Sequence, residues 1–295
     1  MAIKNPTVLL QGKFLKRFSI LLVLCLSVFF NISCSSISSL LFYPKTHYYL
    51  QPSQFGLEAE DINIETADKE VLASWFLKSQ IKPKGTILFL HGNGGNISTH
   101  LKSVAWLPQH GYEVFLLDYR GYGSSTGSST LSSALLDIED AHRWLSNRDT
   151  KLPLFVFGQS LGGSLAITYT ANYNPNLLKI DALISDSAPA SWPQVAKEAM
   201  RRHWLTWLLQ FPASLMPSEY DAEVHIAKIT SIPILLMQSK EDRVVGFHHS
   251  QQLLETSPAN TRWLQTQGGH MAGLSYPDAQ NSILIFLNHK GSKPL

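Results

Sequence analysis

Residues 154–173 join an apolar run, Leu154 to Phe157, the pentapeptide Gly158-Gln159-Ser160-Leu161-Gly162, and a helix-compatible run, Leu161 to Tyr173. A serine on a turn squeezed between a strand and a helix must adopt a strained backbone, and only small neighbours fit two residues to either side. The strain lifts the hydroxyl clear of the sheet. It also brings the helix N-terminus close to any anion that develops beside the hydroxyl. The pentapeptide alone is common, and a serine in it can simply cap the following helix. The strand before it, the helix after it and the chain order of later polar residues favour a nucleophile elbow.

The 295 residues, 44% hydrophobic and 16% charged, suit one well-packed domain of mixed class. The N-terminus reads differently. Lys4, Lys13, Lys16 and Arg17 form a basic region, and Phe18 to Ile32 is apolar. That stretch is short for a membrane span and about right for a secretory leader. It ends at Asn31-Ile32-Ser33-Cys34, which resembles a bacterial lipobox and implies lipidation of Cys34. The alternative is an uncleaved signal anchor. Either reading tethers the domain to a membrane outside the cytosol, on the periplasmic face or at the outer membrane for a lipoprotein. The expected organisation is a leader over residues 1–33, a tether over 34–54 and a domain over 55–295. The only cysteines are Cys25 and Cys34, so the domain must hold together without a disulfide. Four of the 24 Lys and Arg lie in the leader, leaving 20 against 22 Asp and Glu. The basic balance is thus a property of the leader, and nothing points to nucleic acid.

Strand-like runs are expected at Leu57–Thr66 and Val71–Leu77, joined by the turn Ala67-Asp68-Lys69-Glu70. Further strands are expected at Thr86–Leu90, Glu113–Leu117, Leu154–Phe157, Ala182–Ser185, Ile234–Gln238 and Arg262–Gln265. Helices are expected at Leu101–His110, Leu131–Leu145, Leu161–Tyr173, Phe247–Glu255 and Asp278–Asn288. Alternation of this kind, after an antiparallel start, predicts an α/β fold: a mostly parallel central sheet with helices on both faces. One stretch breaks the rhythm. Trp192 to Lys228, within an insertion over about 190–228, contains Trp192, Trp204, Trp207, Leu208, Leu209, Phe211 and Met216, with Arg201-Arg202-His203 among them. It reads as a short helical lid over the site, or as a helix that packs its aromatics into the core.

Acyl transfer needs a nucleophile, a base, a group that orients the base and donors for an oxyanion. Ser160 is the candidate nucleophile. His270, after the last strand and the flexible Gly268-Gly269, is the candidate base. Asp242, after the strand Ile234–Gln238, is the candidate acid, and Asp186, after Ala182–Ser185, is the second. The order Ser, Asp, His favours Asp242. The Leu161 amide and the Asn93 amide, on the loop His91-Gly92-Asn93-Gly94-Gly95-Asn96, are the candidate oxyanion donors. His91 is expected to support that loop. A phosphate-binding reading of the loop fails, because no Lys-Ser/Thr follows it and the Gly-x-Gly-x-x-Gly spacing is absent. No metal-ligand spacing appears, and no cofactor is implied.

Taken together, His91 to Asn96, Asp118-Tyr119-Arg120-Gly121-Tyr122-Gly123-Ser124 and Phe157 to Gly163 resemble the α/β-hydrolase superfamily. More narrowly they resemble its Bem46-like serine hydrolases, often labelled serine aminopeptidase-like, over about residues 42–288. The family usually carries Ala where this chain has Gly94. The resemblance implies a structural turn at Asp118 to Ser124. It also implies a serine hydrolase but not its substrate, since members include esterases, thioesterases and lipases. The expected reaction is cleavage of a small-molecule ester or thioester through an acyl-enzyme, and the apolar, Trp-rich insertion suggests a lipid-like one. The alternatives are a peptidase, with Glu198, Glu219 or Asp221 binding a free amine, and a non-catalytic envelope binding protein on the same fold.

Overall fold

The structure, a computed structural model, describes residues 38–148, 152–201 and 216–291. The leader with Cys34, and the lid residues Arg202, His203, Trp204, Trp207, Leu208, Leu209 and Phe211, lie outside the described residues. No helix among the described residues is long and apolar enough to cross a membrane.

The chain forms β1 (Tyr43–Pro44), β2 (Ala59–Glu65), β3 (Val71–Leu77), β4 (Gly85–Leu90), β5 (Gly94–Gly95), α1 (Ile97–Val104), β6 (Tyr112–Leu117) and α2 (Leu131–Asn147). It continues through β7 (Leu154–Gln159), α3 (Leu161–Asn172), β8 (Ile180–Asp186), α4 (Trp192–Arg201), α5 (Ala222–Ile226), β9 (Ile234–Ser239), α6 (Phe247–Thr256), β10 (Thr261–Thr266) and α7 (Pro277–His289). Eight strands make one sheet in the order β2-β3-β6-β4-β7-β8-β9-β10, and β3 alone runs antiparallel to its neighbours. β1 and β5 form a separate two-stranded parallel pair.

Burial on both faces explains why the central strands read as unbroken apolar runs. Leu88 and Leu90 of β4 face one core cluster with α2 and α3, while Ile87 and Phe89 face the other with α1 and α7. β7 alternates in the same way, with Leu154 and Val156 on one side and Phe155 and Phe157 on the other. Helix α3 is buried from Leu161 to Thr170, so it lacks the polar stripe of a surface helix. It fills the space between the sheet and the helices α2 and α5.

Two expectations need correction. The helix foreseen at Leu101–His110 is α1, which starts earlier and ends at Val104. Asn96 caps it by accepting from the Ser98 amide, and Pro108 opens a separate 3-10 turn. Of the two readings of the insertion, Trp192 and Met216 follow the one in which a helix packs its aromatics into the core. Both are buried in the core cluster around α3, and the Trp192 indole donates to the Tyr220 carbonyl. The late part of the expected tether is docked rather than free: Phe42 is buried, and Tyr43–Pro44 pair with Gly94–Gly95.

The turn between β7 and α3 leaves no room for side chains at its glycines. A Cβ on Gly158 would stand 2.1 Å from the Gly162 carbonyl oxygen, and one on Gly162 would stand 2.1 Å from that of Leu90. Gly94, by contrast, faces open space. At the base of the lid, the Trp192 amide donates to Asp221 Oδ1 at 2.7 Å, which caps α4. Burial pushes the Asp221 carboxyl up to about 6.

Two outcomes follow. Gly162→Ala should cost about 1–3 kcal/mol in a denaturant titration, whereas Gly94→Ala should leave the midpoint unchanged. Asp221 holds its proton more tightly in the folded chain than in the unfolded one, so stability falls as pH rises from about 4 to about 6. Asp221→Asn, whose amide oxygen can still accept from Trp192, should flatten that decline in melting curves recorded across the same range.

Candidate active site

Ser160 begins where β7 ends, with φ 53° and ψ −118°. A non-glycine residue at positive φ is strained and must be held there by its surroundings. Its amide donates to the Asp186 carbonyl at 2.8 Å, and its own carbonyl accepts from Gly163 and Ser164 at 2.9 and 3.2 Å. The strand before and the helix after thus grip one residue from opposite sides.

The three expected side chains meet. His270 Nε2 lies 2.8 Å from Ser160 Oγ, and His270 Nδ1 lies 2.7 Å from Asp242 Oδ2. Against a carboxylate acceptor, Nδ1 carries the proton and Nε2 is free to accept from the serine hydroxyl. Asp242 Oδ1 accepts from the Val244 and Val245 amides at 2.8 and 3.0 Å. Burial opposes its charge, but the His270 bond and charge and the two amides outweigh that and hold the carboxyl below its usual range.

Asp186 does not reach His270. Its Oδ1 accepts from Ser187 Oγ and its Oδ2 from Gln159 Nε2, both at 2.9 Å. It is fully buried, which pushes its carboxyl up, and its backbone carbonyl is the group that holds Ser160. One carboxylate therefore orients the imidazole and the other braces the elbow.

The loop after β4 sits close to the turn that carries Ser160 and to the residue that follows His270. The Leu90 and His91 carbonyls press on Gly162, and a Cβ on Gly92 would stand 3.0 Å from Met271 Sδ, one residue past His270. His91 Nδ1 contacts the Gly92 carbonyl at 2.7 Å, and its ring packs against His100, Tyr119 and Tyr122. His91 Nε2 lies 3.2 Å from Asp118 Oδ1 but out of hydrogen-bond alignment. His100 Nε2 meets the Gly94 carbonyl at 2.9 Å, and burial together with the neighbouring His91 pushes its imidazole down to about 4. The Leu161 amide is the first of α3, whose Gly162 abuts the start of the loop that carries Asn93.

Sequence reasoning missed the support from Gln238, and it expected Asp118 only as part of a structural turn. Gln238, at the end of β9, donates to the Val245 carbonyl at 2.6 Å and lies 3.4 Å from Asp242 Oδ2, closing the acid loop from within. Its signal was a polar residue ending an apolar strand. Asp118 accepts from the Ile97 amide at 2.8 Å and so holds the start of α1, while Arg120 pairs with Asp137 and Asp68. The Asp118 to Ser124 segment is structural in this geometry.

The acids considered for an amine subsite are engaged elsewhere or exposed. Asp221 caps α4, and Glu219 lies exposed in a 3-10 turn. Glu198 meets His248 Nε2 at 2.9 Å and His249 Nε2 at 3.3 Å. These three side chains gather potential ligand atoms within 4.8 Å of one another. The Ala190 amide, however, donates to His249 Nδ1 at 3.2 Å, so the neutral ring carries its proton on Nε2, facing Glu198. That tautomer makes a hydrogen bond and not a metal ligand.

Comparison with known proteins identifies the fold and the family. The family model described as "Serine aminopeptidase, S33" matches residues 81–222. The Escherichia coli (strain K12) protein YfhR is 31% identical over 215 residues, covering 70% of this chain and 72% of its own. The lysophosphatidylserine lipase ABHD12 of Danio rerio is 29% identical over 233 residues, covering 71% of this chain and 58% of its own. Among solved structures, the Pyrococcus furiosus esterase Pf2001 superposes with a TM-score of 0.72 at 20% identity, covering 85% of this chain and 99% of that one. With its strand order, its elbow and these relatives, the chain belongs to the α/β-hydrolase superfamily, in the Bem46-like, serine aminopeptidase-like branch.

Proposed function

We propose that this hydrolase cleaves carboxylic esters or thioesters through Ser160, His270 and Asp242. The observation that carries the reading is the unbroken line from Ser160 Oγ to His270 Nε2 and from His270 Nδ1 to Asp242 Oδ2, at 2.8 and 2.7 Å. Ser160 Oγ attacks the ester carbonyl as its proton passes to Nε2. The tetrahedral oxyanion rests on the Leu161 and Asn93 amides, each such donor contributing about 2.7–4 kcal/mol to lowering the barrier. Collapse breaks the bond to the alcohol or thiol, which takes the proton from Nε2 as it leaves. A water then gives its proton to Nε2, attacks the acyl-enzyme and releases the acid, and Ser160 recovers its proton. Asp242 remains a carboxylate throughout and stabilises the imidazolium.

An ester is favoured over a peptide amine terminus because two of the three acids that could bind the amine are hydrogen-bonded within the fold. The relative that hydrolyses a lysophospholipid supports a lipid-like ester. A binding protein on this fold would have no need of an aligned acid, base and hydroxyl, which weighs against the non-catalytic alternative.

Tethering through a lipidated Cys34 is part of the same proposal. Ser38, only four residues on, is buried, and its hydroxyl meets the Leu131 amide at 3.4 Å. A lipid on Cys34 would hold the domain within about 14 Å of the bilayer surface, where lipid-like esters are found. Cys34→Ser should move the protein from the membrane fraction to the soluble one. Retention of that variant in the membrane would favour the signal anchor.

A fluorophosphonate should label the wild type and leave Ser160→Ala unmarked. Asp242→Asn should lower kcat by about 10⁴-fold, while Asp186→Asn should lower the melting temperature and keep most of the activity. A labelled Ser160→Ala variant, or the reverse ranking of the two aspartates, would refute the assignment.

A further inference from the structure

The loop proposed to supply an oxyanion donor has little stiffness of its own. Gly92, Gly94 and Gly95 occupy three of its four positions from 92 to 95, and Gly95 sits at φ 94°. Glycines permit the close approach that an oxyanion hole needs, but they leave the backbone many other conformations. A donor must already be aimed when charge develops, because reorganisation at that moment raises the barrier. The aim therefore has to come from outside the loop.

It comes from the segment that precedes the sheet. Tyr43 and Pro44 pair in parallel register with Gly94 and Gly95, and the Lys45 amide donates to the Gly95 carbonyl at 3.0 Å. The Tyr43 amide donates to Asn93 Oδ1 at 2.8 Å and lies 3.1 Å from Tyr122 Oη. The Tyr122 hydroxyl in turn donates to the Asn93 carbonyl at 2.8 Å. The buried Asn96 amide group donates to the Lys45 and His47 carbonyls at 2.9 and 2.8 Å, and the Tyr49 amide donates to Ser98 Oγ at 2.9 Å. The same segment reaches the neighbouring turn: the Gly123 amide donates to the Lys45 carbonyl at 3.0 Å, and the Ser124 amide to Tyr48 Oη at 3.0 Å. A Cβ on Gly123 would stand 2.5 Å from that same Tyr48 Oη, so the turn is shaped to receive it.

We propose that residues 42–49 act as a strap that positions the oxyanion loop, with the Asn93 side chain and the Tyr122 hydroxyl as its clasp. The inference rests on the proposed hydrolase reading and extends it. The catalytic rate depends on a segment that lies before the first strand of the sheet, within the stretch expected to be a tether. Tyr122 is a positioning residue: it touches the loop and the strap, and acts on the reaction through the Asn93 peptide.

The test uses the full-length chain with two variants. Tyr122→Phe removes the clasp hydroxyl and keeps the ring. Lys45→Pro removes the amide that bonds to Gly95 and leaves the loop sequence intact. Each should lower kcat on a p-nitrophenyl ester by about 10- to 100-fold and leave KM within about twofold. Phosphonylation of Ser160 by a fluorophosphonate should slow by a similar factor. The double variant should be no slower than the worse single one by more than about twofold, since both release the same loop. Because either variant could lower stability, the melting temperature is recorded beside each rate. Wild-type kcat and labelling rate in folded variants, or losses that track the melting temperature alone, would overturn the strap while leaving the hydrolase reading intact. Failure of the wild type itself to label or to turn over esters would sink both.

Discussion

One backbone conformation organises this molecule. Ser160 stands at positive φ with a β-carbon, a geometry that a free chain avoids. It persists because the carbonyl of Asp186 takes its amide and because the Gly158 and Gly162 backbones close in to distances no side chain would allow. The parallel pairing of β7 with β4 on one side and β8 on the other fixes where those partners stand. Pairing Leu90 with Gly158, and Gln159 with Asp186, brings the loop after β4 and the brace after β8 to the same end of the sheet as the serine. The site is thus a consequence of strand register, set by burial on both faces of the sheet.

Two buried aspartates near the site show how environment divides labour among like groups. Asp242 receives two backbone amides and faces an imidazole that can become a cation, so its charge is favoured in spite of burial. Asp186 receives only neutral side-chain donors, and burial dominates. A charge held below its usual range suits the group that must steady a developing imidazolium. A carboxyl pushed upward suits a structural role. Gln238 sharpens the difference by closing the loop that presents the Val244 and Val245 amides to Asp242.

The sheet was largely legible in the sequence, because strands buried on both faces leave continuous apolar runs between turn residues, as at Thr86–Leu90 and Ile234–Gln238. The meeting of Ser160, Asp242 and His270 was legible from motif and chain order, since each follows a strand. What escaped were features decided by contacts distant in sequence. The start of α1 is set by Asp118, 21 residues on, accepting from the Ile97 amide, together with the local cap at Asn96. The sequence left Trp192 between a lid and a core-packed helix, and the choice is made by the distant Tyr220 carbonyl, to which its indole donates. Chain order favoured Asp242 over Asp186 as the acid, but the separate task of Asp186 shows only in the donors that reach it.

The N-terminal strap carries this lesson furthest. Apart from short apolar stretches, residues 42–54 show no strand or helix pattern, and a sequence reading naturally assigns them to a tether. Their order comes from partners 49 to 79 residues away, at Asn93, Asn96 and Tyr122, whose polar atoms are matched to the strap's amides and carbonyls. Buried polar groups are satisfied when they have such partners, and Asn96 achieves this only with the strap in place. The loop motif from His91 to Asn96 therefore divides its tasks. Its glycines leave the backbone open to close approach, and its asparagines attach that backbone to a segment able to hold it still.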